Sequence, residues 1–185
     1  VYYDENDHTL LGAEVFGEVG VDKRVDVLST AIYAKLKVTD LPQLDLAYAP
    51  PYSPAKDALV VSGFTATNAI NHGCSPISVE ELHDLLSNEA DIQVVDVRNP
   101  GERANGKLIE GSVNVPLDEL RENLDKIDKN RLVVLHCARG LRGYIAAKIL
   151  FQHGFSNIKN LAGGYKVWAE YERQYPVRRM ENALA

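Results

Sequence analysis

Residues 130–155 read NRLVVLHCARGLRGYIAAKILFQHGF. The apolar run Leu132–Leu135 leads into His136 and Cys137. A glycine-containing loop follows, and then a helical stretch that stops at Gly154. A short apolar run of this kind fits a strand buried on both faces, and a glycine after the last helical turn fits a C-cap. Strand, loop and helix in this order form the building unit of an α/β sheet. Chemistry in such sheets gathers beyond the carboxyl ends of the strands, where loops enter helix N-termini. Cys137 stands at that place.

Outward from this unit the alternation continues. SVEELHDLLSN (78–88) predicts a helix with Ser78 as N-cap and Glu81 at the capping-box position. DIQVVDVR (91–98) predicts a strand with a charged end at Asp96 and Arg98, and GSVNVPLDELRENLDKI (111–127) a strand leading into a short helix. NIKNL and GYKVWAEYERQY add a last strand and helix. The expected class is α/β: a central, mostly parallel sheet flanked by helices.

The first 72 residues have another character. VYYDENDHTLLGAEVFG (1–17) predicts a β-hairpin with inward alternation at Leu11, Ala13 and Val15. Val21, Val25, Leu28, Ile32 and Leu36 recur at helical spacing. TDLPQLDLAYAPPYSPAKD (39–57) reads as a loop holding Tyr48 and Tyr52, and residues 55–71 as a second helix despite Gly63. Such a small α+β unit buries little surface alone, so its apolar helix faces are expected to be covered, by a partner surface or by the second half of the chain. Gly73, Ser75 and Pro76 around Cys74 mark a linker at 73–77. The α/β region then runs over 78–175, with a tail at 176–185.

Net charge is −6, which gives no general attraction to nucleic acid or to an anionic membrane surface. No apolar stretch reaches the length of a membrane span, and no secretory pattern opens the chain. Two cysteines 63 positions apart fit a reducing, cytoplasmic setting rather than a disulfide scaffold. The five histidines lack paired ligand spacing, so no metal site is expected.

Around Cys137 the local chemistry is concentrated. Unsatisfied N–H groups at a helix start point toward an anion, and Arg139 and Arg142 add positive charge. Gly140 allows a tight turn around the sulfur. Each of these favours thiolate over thiol. A buried, inert cysteine would leave two arginines and a glycine within five residues unexplained. His136 is adjacent, but neighbouring strand side chains point to opposite faces, which disfavours it as a general base.

CARGLR (137–142) resembles the six-residue active loop of the rhodanese family, cysteine-x-x-glycine-x-arginine. VVDVRNPGE resembles that family's early aspartate-x-arginine motif, GSVNVPLDEL the segment after it, and LAGGYKVW its late glycine-glycine–tryptophan motif. NGKLIEGS departs from the pattern, with Lys107 where the family carries a histidine. The resemblance implies sulfurtransferase chemistry: Cys137 carries sulfane sulfur as a persulfide, and Arg142 with Arg139 holds an anionic donor. Ala138, Gly140 and Leu141 complete the substrate loop. Asp96 and Arg98 form a supporting polar network, while Gly163, Gly164 and Trp168 make a turn and a core aromatic. Related phosphatases place five residues between cysteine and arginine. The four here, Ala138 to Leu141, fit a sulfur atom better than phosphate.

GVDKRVDVLSTAIYAKLKVTDLPQLDLAYAPPYSPAKD resembles the C-terminal dimerisation domain of flavin-dependent pyridine-nucleotide–disulfide oxidoreductases, in particular coenzyme A disulfide and persulfide reductases fused to a rhodanese domain. No glycine-rich dinucleotide fingerprint occurs in the sequence. The resemblance therefore implies the C-terminal piece of a longer homodimeric enzyme whose FAD and NAD(P)H domains lie elsewhere. Thiosulfate, persulfides, polysulfide and CoA thiols are its implied sulfur partners. Tyr48 or Tyr52 would reach the partner subunit's reductase site, and Cys74 is a linker residue or a resolving thiol. The competing expectation is a non-catalytic rhodanese-like module for dimerisation and partner docking.

Overall fold

The computed structural model describes residues 1–71 and 74–177, with the backbone alone at Cys74, Asn105 and Gly106. Of the tail at 176–185, residues 178–185 lie outside the described part. The chain divides into two compact units, Val1–Asn71 and His72–Ala185. No helix among the described residues is long and apolar enough to cross a membrane.

The first unit opens with β1 (Tyr2–Tyr3) and β2 (Leu10–Gly12), an antiparallel pair in the register Tyr3 opposite Leu10. The Asp4 carboxylate accepts the N–H of Asn6 at 2.8 Å and of Asp7 at 3.3 Å, closing the turn. Ala13 and Val15 pack against the core as expected, but Leu10 joins them in place of Leu11. Leu10 is 2% exposed and Leu11 62%, because the Leu10 N–H donates to the Leu36 carbonyl and draws Leu10 inward.

Helix α1 (Val21–Tyr33) buries Leu28 and Ala31, with Val27 and Ile32 partly covered, while Val25 stays exposed. The helix ends before Leu36, since Lys35 takes a positive φ of 55° and the Leu36 N–H returns to the Ala31 carbonyl. A 3-10 turn, Val38–Gln43, then packs on α2 (Ala58–Asn71). A Cβ on Gly63 would lie 2.6 Å from Pro42 Cδ and 2.7 Å from Leu41 Cβ, so this glycine lets the two segments approach. Asp57 caps the start of α2 by accepting the Leu59 N–H, and its carboxylate is gripped twice by Arg24 of α1, at 2.8 and 3.0 Å.

The second unit is a five-stranded, all-parallel sheet. Its strands are β3 (Cys74–Ile77), β4 (Ile92–Asp96), β5 (Val113–Asn114), β6 (Leu132–His136) and β7 (Ile158–Leu161), in the order β3-β7-β6-β4-β5. Helices α3 (Val79–Ser87), α4 (Leu141–Gln152) and α5 (Gly164–Gln174) cover it. Residues 73–77, read as a linker, thus include an edge strand. Pro76 is tolerated there because an edge strand has one unpaired side. Ser78 caps α3, accepting the Glu81 N–H at 3.1 Å.

Period-2 alternation divides the core into two layers. Val95, Val97, Val133, Leu135 and Cys137 face one layer, with Ala146, Ala147, Ile149 and Leu150 of α4. Val94, Val134, Ile77 and Leu161 face the other, with Val79 and Leu82 of α3 and the fully buried Trp168 of α5. Both faces are covered, as a parallel sheet requires.

Candidate active site

The central strand β6 delivers His136 and Cys137 to opposite sides of the sheet. Cys137 joins the α4 layer and is 3% exposed. The following loop turns through Gly140, whose φ of 131° favours glycine, and enters α4 at Leu141. The Gly140 N–H donates to Cys137 Sγ at 3.0 Å. Burial by itself raises the thiol pKa. Donors from the Gly143, Gly140, Arg139 and Arg142 backbone outweigh it and hold the Cys137 pKa below its ordinary value of 9.0. The loop is a cradle for an anionic sulfur.

The loop side chains divide by environment. Arg139 is exposed, and its side chain has no partner among the described residues. Leu141 is also exposed, while Ala138 is half-buried. Arg142 makes a bidentate ion pair with Glu102, at 2.6 Å (Nη1–Oε2) and 2.7 Å (Nη2–Oε1). Arg142 also interacts with Cys137, and both partners raise its pKa, Glu102 the more strongly. Glu102 in turn is held down to about 2, by Arg142 first and by the Asn99 N–H as well. The guanidinium expected to hold an anionic donor is thus matched by a carboxylate in this structure. Glu102 closes the VVDVRNPGE motif, but it lies 40 positions from Arg142, and only the fold reveals that the two pair.

On the other face sits a buried polar cluster. Asp96 is fully buried and holds Arg98 through Nη2 at 2.7 Å and Nε at 2.9 Å. Arg103 Nε lies 3.3 Å from the same carboxylate. Arg98 also donates to the Lys107 carbonyl at 2.7 Å, so the position departing from the family pattern contributes through its backbone. Asn114 ties the strand end together, donating to the carbonyls of Asp96 and Arg98. His136 is fully buried beside Asp96, at 3.7 Å, and neither ring nitrogen has a hydrogen-bond partner. Burial lowers its pKa to about 4, so it is neutral near pH 7 and faces away from the sulfur.

Helix α5 supports the loop from beneath. The Tyr165 N–H donates to the Cys137 carbonyl at 2.8 Å and the Lys166 N–H to the Ala138 carbonyl at 3.1 Å. Gly163 and Gly164 have positive φ, and a Cβ on Gly164 would lie 2.5 Å from the Cys137 carbonyl oxygen. The Tyr165 ring stacks under Arg98, 4.2 Å from ring centroid to guanidinium carbon, which joins the polar cluster to the loop support. Asn160, unremarked in the sequence, donates to the Gly140 carbonyl at 3.1 Å. In the first unit, Tyr48 and Tyr52 are exposed on the loop before α2.

A family model described as "Rhodanese-like domain" matches residues 78–171. A sulfurtransferase from Allochromatium vinosum is 35% identical over 95 residues, covering 51% of this chain and 88% of the relative. A coenzyme A disulfide reductase from Staphylococcus haemolyticus is 47% identical over 66 residues, covering 36% of this chain and 15% of the relative. Among solved structures, the reduced CoADR-RHD of Bacillus anthracis matches with a TM-score of 0.73 and 40% identity, over 86% of this chain and 28% of its own. An NAD-dependent persulfide reductase from A. fulgidus matches with a TM-score of 0.65 and 42% identity, over 82% and 26%. This chain thus spans well under a third of the reductases it resembles. The cysteine loop, the sheet that positions it and these matches agree: the chain belongs to the rhodanese-like domain family.

Proposed function

We propose that the second unit is a sulfurtransferase that carries sulfane sulfur as a persulfide on Cys137. The observation that carries this reading is the set of backbone N–H groups converging on the Cys137 sulfur, with Gly140 at 3.0 Å. In the first step the Cys137 thiolate attacks the outer sulfur of a donor such as thiosulfate, polysulfide or an organic persulfide. The donor S–S bond breaks, its electron pair leaves with sulfite or a thiolate, and Cys137 keeps one additional sulfur. The same amides stabilise the terminal S⁻. In the second step an acceptor thiolate takes that sulfur and restores the Cys137 thiolate.

We further propose that this unit serves a CoA-disulfide, persulfide or polysulfide reductase, with FAD, NAD(P)H and CoA bound by other domains of a parent enzyme. The Gly140 turn encloses the Cys137 sulfur, and the Gly163–Gly164 turn lies against the Cys137–Arg139 backbone, so both serve the cysteine loop. The first unit is assigned to dimerisation, a reading supported by its exposed Phe16, Val19 and Tyr33. Tyr48 and Tyr52 are its candidates for reaching a partner's site.

The test is mass spectrometry after treatment with thiosulfate or polysulfide. A sulfur-sized mass increase on Cys137, absent in Cys137→Ser and discharged by cyanide or a thiol, is the expected result. A chain that takes up no sulfur from either donor would instead support the docking-module reading.

A further inference from the structure

Two arginines follow Cys137 in the loop, and the structure gives them different work. Arg139 is exposed and unpaired among the described residues, whereas Arg142, which interacts with the sulfur itself, is matched by Glu102 through two short hydrogen bonds. The Glu102 carboxylate is anchored in its own right. Its Oε2 accepts the Asn99 N–H at 3.1 Å, and the Glu102 carbonyl accepts from Arg98. It is therefore a fixed part of the loop's surroundings rather than a mobile surface acid. At the sulfur, the positive charge of Arg142 is balanced before any substrate arrives.

We infer that Glu102 is a specificity-determining residue, which sets the charge at the Cys137 loop so that weakly charged sulfur donors are favoured over dianions. The inference rests on the sulfurtransferase reading above. Cys137 carries one negative charge as thiolate, and the paired Arg142 and Glu102 add none. A dianion such as thiosulfate finds no unbalanced side-chain cation in the inner loop and relies on the loop amides and the outer Arg139. In its protonated, electrophilic form a hydropersulfide R–S–SH brings no charge to the sulfur, and its anion brings one charge where thiosulfate brings two. In that reaction the thiolate bonds to the outer sulfur, the S–S bond breaks, and the inner sulfur leaves as R–SH with the proton. Cys137 becomes a persulfide anion, and no oxidant or reductant is consumed. The substrate class assigned to the loop is thus the organic persulfide, small or protein-borne.

The groups facing this pair are Cys137 on the Arg142 side, with Arg98 and the Asn99 amide on the Glu102 side. None of them supplies a second unmatched cation at the sulfur. Glu102→Gln keeps the shape of the side chain and removes its charge. Arg142 is then unbalanced, and local attraction for anions rises by about tenfold, the lower end of what a focused positive site produces.

The test uses two alkylating agents of similar size, neutral iodoacetamide and anionic iodoacetate, on the full chain. Rates at Cys137 are expressed relative to a small free thiol at the same pH and salt. In the unmodified chain iodoacetate is expected to have no advantage over iodoacetamide. In Glu102→Gln the iodoacetate-to-iodoacetamide ratio rises about tenfold, and the thiosulfate-to-persulfide ratio of kcat/KM rises with it. Glu102→Asp, which keeps the charge, stays closer to the original ratios.

An unmodified chain that already favours iodoacetate tenfold overturns the inference, and that measurement does not depend on any variant folding. Equal losses with every reagent in Glu102→Gln, leaving the ratios unchanged, would show a merely structural role and also overturn it. Alkylation requires no sulfur transfer, so a chain that alkylates as described but never acquires a persulfide would refute the sulfurtransferase reading alone.

Discussion

Gly164 lies directly beneath the nucleophile: a Cβ placed on it would stand 2.5 Å from the Cys137 carbonyl oxygen and 2.8 Å from the Arg139 nitrogen. Both are backbone atoms, so no side chain can swing aside. The residue also has a φ of 60°, which penalises any non-glycine residue.

Gly164→Ala is therefore expected to push the loop away from α5 and to break the Tyr165-to-Cys137 hydrogen bond. The cost is about 2–4 kcal/mol, from strain together with the lost contact. Chemical denaturation measures the stability. The pH profile of Cys137 alkylation measures the loop, and its midpoint should move up toward that of an ordinary thiol. A variant with unchanged stability and an unchanged profile would contradict this account of the turn.

Asp96→Asn tests the polar cluster on the opposite face. It leaves buried Arg98 and half-buried Arg103 without their carboxylate, and removing one partner of a buried ion pair costs about 3–5 kcal/mol. Because Asp96 does not touch the sulfur, the fraction that stays folded should still be alkylated at Cys137 with a near-normal pH midpoint. Urea unfolding followed with alkylation kinetics separates the two effects.

His136 supplies a pH signature. Its pKa falls from 6.5 in the unfolded chain to about 4 in the folded one, chiefly through burial. Between those values the unfolded state binds a proton that the folded state refuses, so stability declines as pH drops from 6.5 to 4 and this contribution levels off below. A shift of this size corresponds to about 3 kcal/mol. His136→Leu should flatten this limb of the stability profile, whereas a limb of unaltered slope would assign it to other groups.

Much of the α/β unit is visible in the sequence because its signals are local. The Ser78 cap, the apolar run of β6 and the Gly154 stop each sit within a few residues of the element they define. Other features depend on distant chain. Strand β3 holds Pro76 and reads as a linker, since only its pairing with β7, more than 80 positions later, makes it a strand. The inward choice of Leu10 over Leu11 is made by a hydrogen bond to Leu36. At the site, the cysteine loop is contiguous and therefore legible. Glu102 reaches it from one distant segment and Asn160 and Gly164 from another; VVDVRNPGE and LAGGYKVW contain two of the three, but no periodicity announces their contacts with the loop.

The edges of the parallel sheet limit how copies of this unit can associate. On one side β3 carries Pro76, which lacks the N–H a further strand would need, and on the other β5 offers only two residues. Neither edge is a template for strand addition. Self-association of this unit by sheet extension is thus disfavoured at both ends, and with it a common starting point for aggregation.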